Sequence, residues 1–124
     1  MSTARRHRGA MSHHAGNAAE LRIAQDYERR GFAVARRRWR SAAGEIDLIL
    51  RNGDQMVFVE VKKSRSIAAA AQRLSARQME RICLSAQCYL ADESLDLDTN
   101  MRIDVALLDA TGAFEIVENA FGAA

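Results

Sequence analysis

Between residues 17 and 31, apolar side chains recur at helical spacing, with Ile23, Ala24 and Tyr27 on one face. Asn17 can cap this helix and Glu20, three residues on, completes a capping box. Arg29 and Arg30 suit its negative end, and Gly31 suits its stop. Strand-like alternation then takes over. Residues 32–40 read as a first strand, and 44–51 and 55–63 as a hairpin turning at Asn52-Gly53. A second capping box, Ser75 to Gln78, opens a long helix ending near Leu90, with Met79, Ile82, Cys83, Ala86 and Leu90 as its buried stripe. Ala68 to Ala71 adds a turn ahead of it. Asp92 to Asn100 is polar linker. Met101 to Asp109 and Ala113 to Asn119 are the fourth and fifth strands, joined at Thr111-Gly112. The order αβββαββ predicts an α/β fold, a central sheet of about five strands with helices on its faces.

The hairpin carries the candidate chemistry. With Asn52 and Gly53 as a two-residue loop, Arg51 faces Asp54, Asp47 faces Phe58 and Glu45 faces Glu60. Pleating then puts Glu45, Asp47, Ile49, Phe58, Glu60 and Lys62 on one face. Ile46, Leu48, Leu50, Val57, Val59 and Val61 form an apolar wall on the other. A three-residue loop would mix the two sets. Asp47 and Glu60 become diagonal neighbours, with Cβ atoms about 7 Å apart. Two carboxylates so placed can share one magnesium ion at about 2.1 Å from each oxygen. The bland alternative is a solvated face with a cross-strand ion pair. Ile49 and Phe58 on the same face argue that it is covered.

A chain of 124 residues is one domain, able to bury roughly two thirds of its unfolded surface. Residues 1–15 lack periodicity and read as a disordered basic tail, 16–121 as the domain, and 122–124 as a short tail. No run of about 18 apolar residues predicts a membrane span, and no signal-peptide pattern is present. Cys83 and Cys88 have neither zinc nor redox spacing, which points to reduced thiols and a cytoplasmic place. The net charge of +2 conceals an asymmetry: residues 1–40 hold 10 arginines against 3 acidic residues, and the remainder sums to −5. That imbalance suggests an anionic partner. Arg36, Arg37, Arg38 and Arg40 bracket Trp39 just before the hairpin. Guanidinium groups suit phosphate and the indole could stack on a base, although a core Trp39 with arginine stems along the sheet is the plainer reading. Arg102 and Asp104 read as a buried structural ion pair. His13-His14 is a weak metal candidate in the tail.

Gly16-x-x-x-Glu20, Gly44-Glu-Ile-Asp47, Val57-Phe-Val-Glu-Val-Lys62, Arg102-Ile-Asp-Val105 and Ala120-Phe121 together resemble the YraN family of bacterial nuclease-like proteins. More broadly the layout is similar to PD-(D/E)xK nucleases, including archaeal Holliday-junction resolvases. The resemblance covers residues 16–121. It implies a restriction-endonuclease-like core with a mixed sheet. It also implies that Asp47, Glu60 and Glu20 bind magnesium or manganese, and that Lys62 assists the attacking water or the developing phosphate charge. Such a metal lowers the pKa of a water and shields the phosphate. Glu20 thus has two competing roles, cap and ligand.

The chain departs from the family pattern at three places. Ile46 stands where the wider superfamily has Pro. Gln78 replaces a frequent Lys, keeping the cap and losing the charge. Ser64 occupies a place where relatives tend to carry Arg, with Arg65 following. The implied function is a metal-dependent nuclease hydrolysing phosphodiester bonds in DNA, branched DNA included. Arg36, Arg37, Arg38, Arg40, Lys63, Arg65 and Gln78 are the expected nucleic-acid contacts. The alternatives are a non-catalytic nucleic-acid-binding module on the same fold, and a protein-interaction subunit. A homodimer would suit two-site junction cutting.

Overall fold

The computed structural model describes residues 17–95 and 99–120. The basic tail with His13-His14, Gly16 of the first motif, Phe121 and the closing tail lie outside the described residues. Helix α1 occupies residues 17–29 and buries Ile23, Ala24 and Tyr27 completely. It ends as its sequence predicts. Gly31 adopts φ 96, its N–H reaches the Glu28 carbonyl, and the Phe32 N–H reaches back to Tyr27. This is the glycine-terminated Schellman arrangement, and the Tyr27–Phe32 edge-to-face contact at 5.5 Å supplies its apolar clasp.

Strands β1 (Ala33–Ser41), β2 (Gly44–Asn52) and β3 (Gln55–Lys63) follow as an antiparallel meander. A short helix α2 (Ile67–Gln72) and a long helix α3 (Ala76–Asp92) then carry the chain to β4 (Met101–Leu108), which lies parallel to β3. Strand β5 (Phe114–Val117) closes the five-stranded sheet in the order β1-β2-β3-β4-β5. The mixed α/β architecture and the order αβββαββ are thus present, with α2 as the extra turn expected before the long helix. The fifth strand is shorter than its alternation suggested; Asn119 has φ 51 and donates its N–H to Asp104 at 2.9 Å.

The sheet carries three apolar clusters, the smallest being Ala70 of α2 on Val105 and Leu107 of β4. Leu48, Leu50, Val57 and Val59 meet Ile23, Ala24 and Tyr27 of α1. Ile49, Met56 and Phe58 meet Ile82, Ala86, Tyr89 and Leu90 of α3, with Trp39 edge-on to Tyr89 at 5.2 Å. Ile49 and Phe58 are therefore fully covered, and Trp39 packs half-buried against this core. Met79 and Cys83 are only half-buried; Ser85 and Tyr89 fill the stripe instead.

Two expectations are corrected. The hairpin loop is Gly53-Asp54 rather than Asn52-Gly53. Asn52 pairs with Gln55 and only Gly53 takes positive φ, 62, as a turn with glycine in its first central position requires. A type I′ turn would have needed positive φ at Asn52 as well. Sliding the loop by one residue moves both strands together, so the faces survive and only the partners change. The second correction is Ile46, which joins the α3-side core instead of the opposite wall. The pleat breaks beside it: the β2–β3 ladder ends at Leu48–Val59, and Arg38 on β1 adopts φ 49 opposite Asp47.

On the α1 side, Asp104 is wholly buried and takes two bonds from Arg102, at 2.8 and 3.0 Å, and one from the Tyr27 hydroxyl. The structural ion pair read from the sequence is present. Burial, then the hydrogen bond and charge of Asp104, push the Tyr27 phenol well above its ordinary value.

Candidate functional site

The corrected register brings the acids closer than the sequence implied. The paired register ends at Leu48–Val59, and continuing it one step sets Asp47 against Glu60, whose carboxyl it meets. Here the ladder is replaced by a side chain: Asp47 Oδ2 accepts the Val61 N–H at 2.8 Å. Glu60 is 7% exposed, and its Oε2 accepts from Gln78 Nε2 at 2.7 Å and meets Lys62 Nζ at 3.1 Å. The recess around them has a volume of about 340 Å³, with Arg81 and Ile82 of α3 on its wall. Gly44 lets the start of β2 approach α3. It takes φ 151, and a Cβ there would stand 3.4 Å from Ser85 Oγ.

Crowding two carboxyl groups in a shielded place has an electrostatic consequence. Burial first, then the charge of Glu60 and a hydrogen bond with it, push Asp47 up to about 7, against the lowering effect of the Val61 N–H. Lys62 balances one of the two charges, and a proton or a further cation must balance the other at neutral pH. Apart from the contact between the two carboxyl groups, Asp47 Oδ1 and Glu60 Oε1 accept no hydrogen bond among the described residues. Hard oxygen donors of this kind suit a magnesium ion that keeps most of its waters. Among the described residues no three His, Cys, Asp or Glu side chains gather into a metal-binding group. The donor set is therefore two carboxylates, enough for a hydrated magnesium ion beside a phosphate and too few for a closed cage.

Glu20 is placed by Arg38. Arg38 Nε donates to Glu20 Oε1 at 3.0 Å and its Nη2 to Asn17 Oδ1 at 2.6 Å, so neither side chain of the expected first capping box is left to its own helix. Glu20, Glu45 and Asp47 all raise the Arg38 pKa, Glu20 foremost. In the second capping box, Ser75 accepts the Gln78 N–H at 3.1 Å as expected. The reciprocal half is missing, because the Gln78 side chain serves Glu60.

The expected nucleic-acid contacts scatter. Arg40 pairs with Glu45 at 2.9 Å, Arg36 lies 3.9 Å from Glu93 at the far end of α3, and Arg37 and Arg65 are exposed. Lys63 turns to the α1 face, away from Lys62. The structure therefore brings together Asp47, Glu60, Lys62 and Gln78, whereas Glu20 is held by Arg38 and does not line their recess. Sequence reasoning missed Arg81, although its place one turn beyond Gln78 was a usable signal. It also missed the left-handed Arg38, for which the sequence holds no sign.

Fold and site together define a mixed α/β protein whose central hairpin delivers two acids and a lysine to a recess under a helix start. A sequence profile of Uncharacterised protein family UPF0102 matches residues 19–108. A UPF0102 protein of Ruegeria pomeroyi is 58% identical over 115 residues, covering 93% of this chain and 94% of the relative. One from Cereibacter sphaeroides is 57% identical over 93% of this chain and 98% of its own length. Another, from Roseobacter denitrificans, is 48% identical over 96% and 92%. The chain belongs to the UPF0102 family, the one that its motifs resembled under the name YraN. Among the described residues no helix is long and apolar enough to cross a membrane.

Proposed function

We propose that this protein is a metal-dependent nuclease of restriction-endonuclease-like build, hydrolysing phosphodiester bonds in DNA, with branched DNA among its substrates. The supporting observation is the meeting of Asp47 and Glu60 across one hairpin, with the Lys62 ammonium 3.1 Å from Glu60 inside a shared recess. Magnesium or manganese held by these carboxylates would supply charge neutralisation at the phosphate and a more acidic water. The chain does the rest. The Val61 N–H fixes the Asp47 carboxyl, and Gln78 and Lys62 fix that of Glu60. Lys62 stays close enough to turn from Glu60 to a phosphate oxygen as charge develops there. Arg81 on the recess wall offers a further cation. A nuclease of this kind works on cytoplasmic DNA, and a homodimer would present two recesses to a junction.

The test is incubation with branched, single-stranded and duplex DNA in magnesium or manganese. Wild type should cut; Asp47→Ala, Glu60→Ala and Lys62→Ala should not. Cutting that persists in Asp47→Ala and Glu60→Ala would assign the activity elsewhere. A second reading, a binding module without turnover, draws on Glu20 being committed to Arg38 and on the neutral Gln78. Magnesium calorimetry separates the two: heat that disappears with Asp47 and Glu60 favours the nuclease.

A further inference from the structure

On β3, Lys62 faces the acidic recess and the next residue, Lys63, faces a different one on the α1 side of the sheet. This second hollow, of about 290 Å³, lies between α1, the ends of β3 and β4, and the turn at Gly112. Its floor is aliphatic, from Ala18, Ala19 and Leu108, and its polar rim is Arg22, Gln25 and Lys63. Among the described residues no carboxylate lines it. Among the described residues neither Arg22 nor Lys63 makes an ion pair. Asp109, the acid in the adjoining turn, accepts from the Thr111 and Ala113 N–H groups and the Thr111 hydroxyl of its own turn. Arg22 is exposed; its guanidinium lies 5.8 Å from the Phe114 ring centre, and a Cβ at Gly112 would come within 3.8 Å of it. Arg73, outside the hollow, donates to the Lys63 carbonyl at 2.7 Å and so ties down the end of β3.

We propose that the Arg22–Lys63 hollow is a phosphate subsite for the nucleic-acid strand that the acidic recess handles, so that the strand crosses the end of β3 from one face to the other. The inference rests on the nuclease reading and deepens it. Adjacent residues 62 and 63 place their cations in the two hollows from a single strand end, which a continuous polyanion can span. Fixed guanidinium geometry suits phosphate oxygens, and the aliphatic floor suits a sugar or base edge. The chain's own leading residues, with Arg5, Arg6 and Arg8 and no acid, carry the wrong charge to fill it.

The experiment is fluorescence anisotropy of labelled single-stranded and branched DNA, with EDTA present so that nothing is cut, over a series of salt concentrations. Arg22→Ala and Lys63→Ala should each weaken binding and lower the salt slope by about 1, and the double variant by about 2. Lys63→Arg should restore the slope. Arg29→Ala, on the same helix outside the hollow, is the control for general charge. Unchanged slopes, or losses no larger than in Arg29→Ala, overturn the subsite. So does equal displacement of the DNA by polyglutamate, which would identify an acidic peptide as the occupant, and so does an absence of DNA binding. Magnesium calorimetry on the same double variant judges the acidic recess separately. DNA that binds through Arg22 and Lys63 but is never cut sinks the nuclease reading and leaves the subsite standing.

Discussion

Two residues carry the tension of the site. Asp47 ordinarily titrates near 3.8 and here at about 7, so across that interval the folded chain holds a proton that the unfolded chain has released. Stability from this group is therefore complete below pH 4 and is lost as the pH rises through 7. Asp47→Asn should flatten that fall and raise the melting temperature at pH 8. Magnesium should stabilise wild type more at pH 8 than at pH 5, and the variant at neither. Melts with an unchanged pH slope would contradict the assignment. Arg38 combines a backbone conformation that costs a side-chain-bearing residue about 1–2 kcal/mol with the bond that holds Glu20. Arg38→Gly and Arg38→Ala lose the same bond, but glycine relieves the backbone. The glycine variant should be the more stable by about 1 kcal/mol in urea titrations. Neither property was legible in the sequence. Asp47's shift needs the distance to Glu60, and Arg38's conformation follows from where β1, β2 and α1 meet.

At the scale of elements, the hairpin teaches most about what a sequence discloses. Alternation is local, so the parity that puts Asp47, Glu60 and Lys62 together was legible from the residues alone. The register was not, because both Asn52-Gly53 and Gly53-Asp54 satisfy the alternation and only the turn's φ angles choose between them. Gly53→Ala should accordingly cost about 1–2 kcal/mol by chemical denaturation, through its φ of 62 rather than through crowding, since nothing lies within 4 Å of a Cβ there. Asn52→Ala should cost much less, which a type I′ turn would not allow. Helix α3 shows the other limit. Its start was readable from Ser75, yet the Gln78 side chain found a better partner on another element. A cap is a local offer, and a buried carboxylate 18 residues away outbid it.

For the whole molecule, the buried Asp104 ties the fold together. It joins α1 through Tyr27, β4 through Arg102 and the closing segment through the Asn119 N–H. Asp104→Ala leaves Arg102 only Glu118, at 3.8 Å, and should cost about 3 kcal/mol, whereas Tyr27→Phe, which leaves the ion pair, should cost about 1 kcal/mol; urea unfolding monitored by circular dichroism distinguishes them. Equal losses would mean that the hydroxyl, not the pair, dominates. The pairing of Arg102 with Asp104 was legible in the sequence; the other two partners, Tyr27 and Asn119, lie 77 and 15 residues away and were not. The parallel seam between β3 and β4 has a consequence for how the protein is made. A nascent chain emerging from the ribosome completes the meander, acids included, well before the strand that seals its flank exists. Until residues 101–108 arrive, the backbone of β3 offers an open row of donors and acceptors to any passing strand. Synthesis paused in that interval is where this protein is most exposed to mispairing with its neighbours.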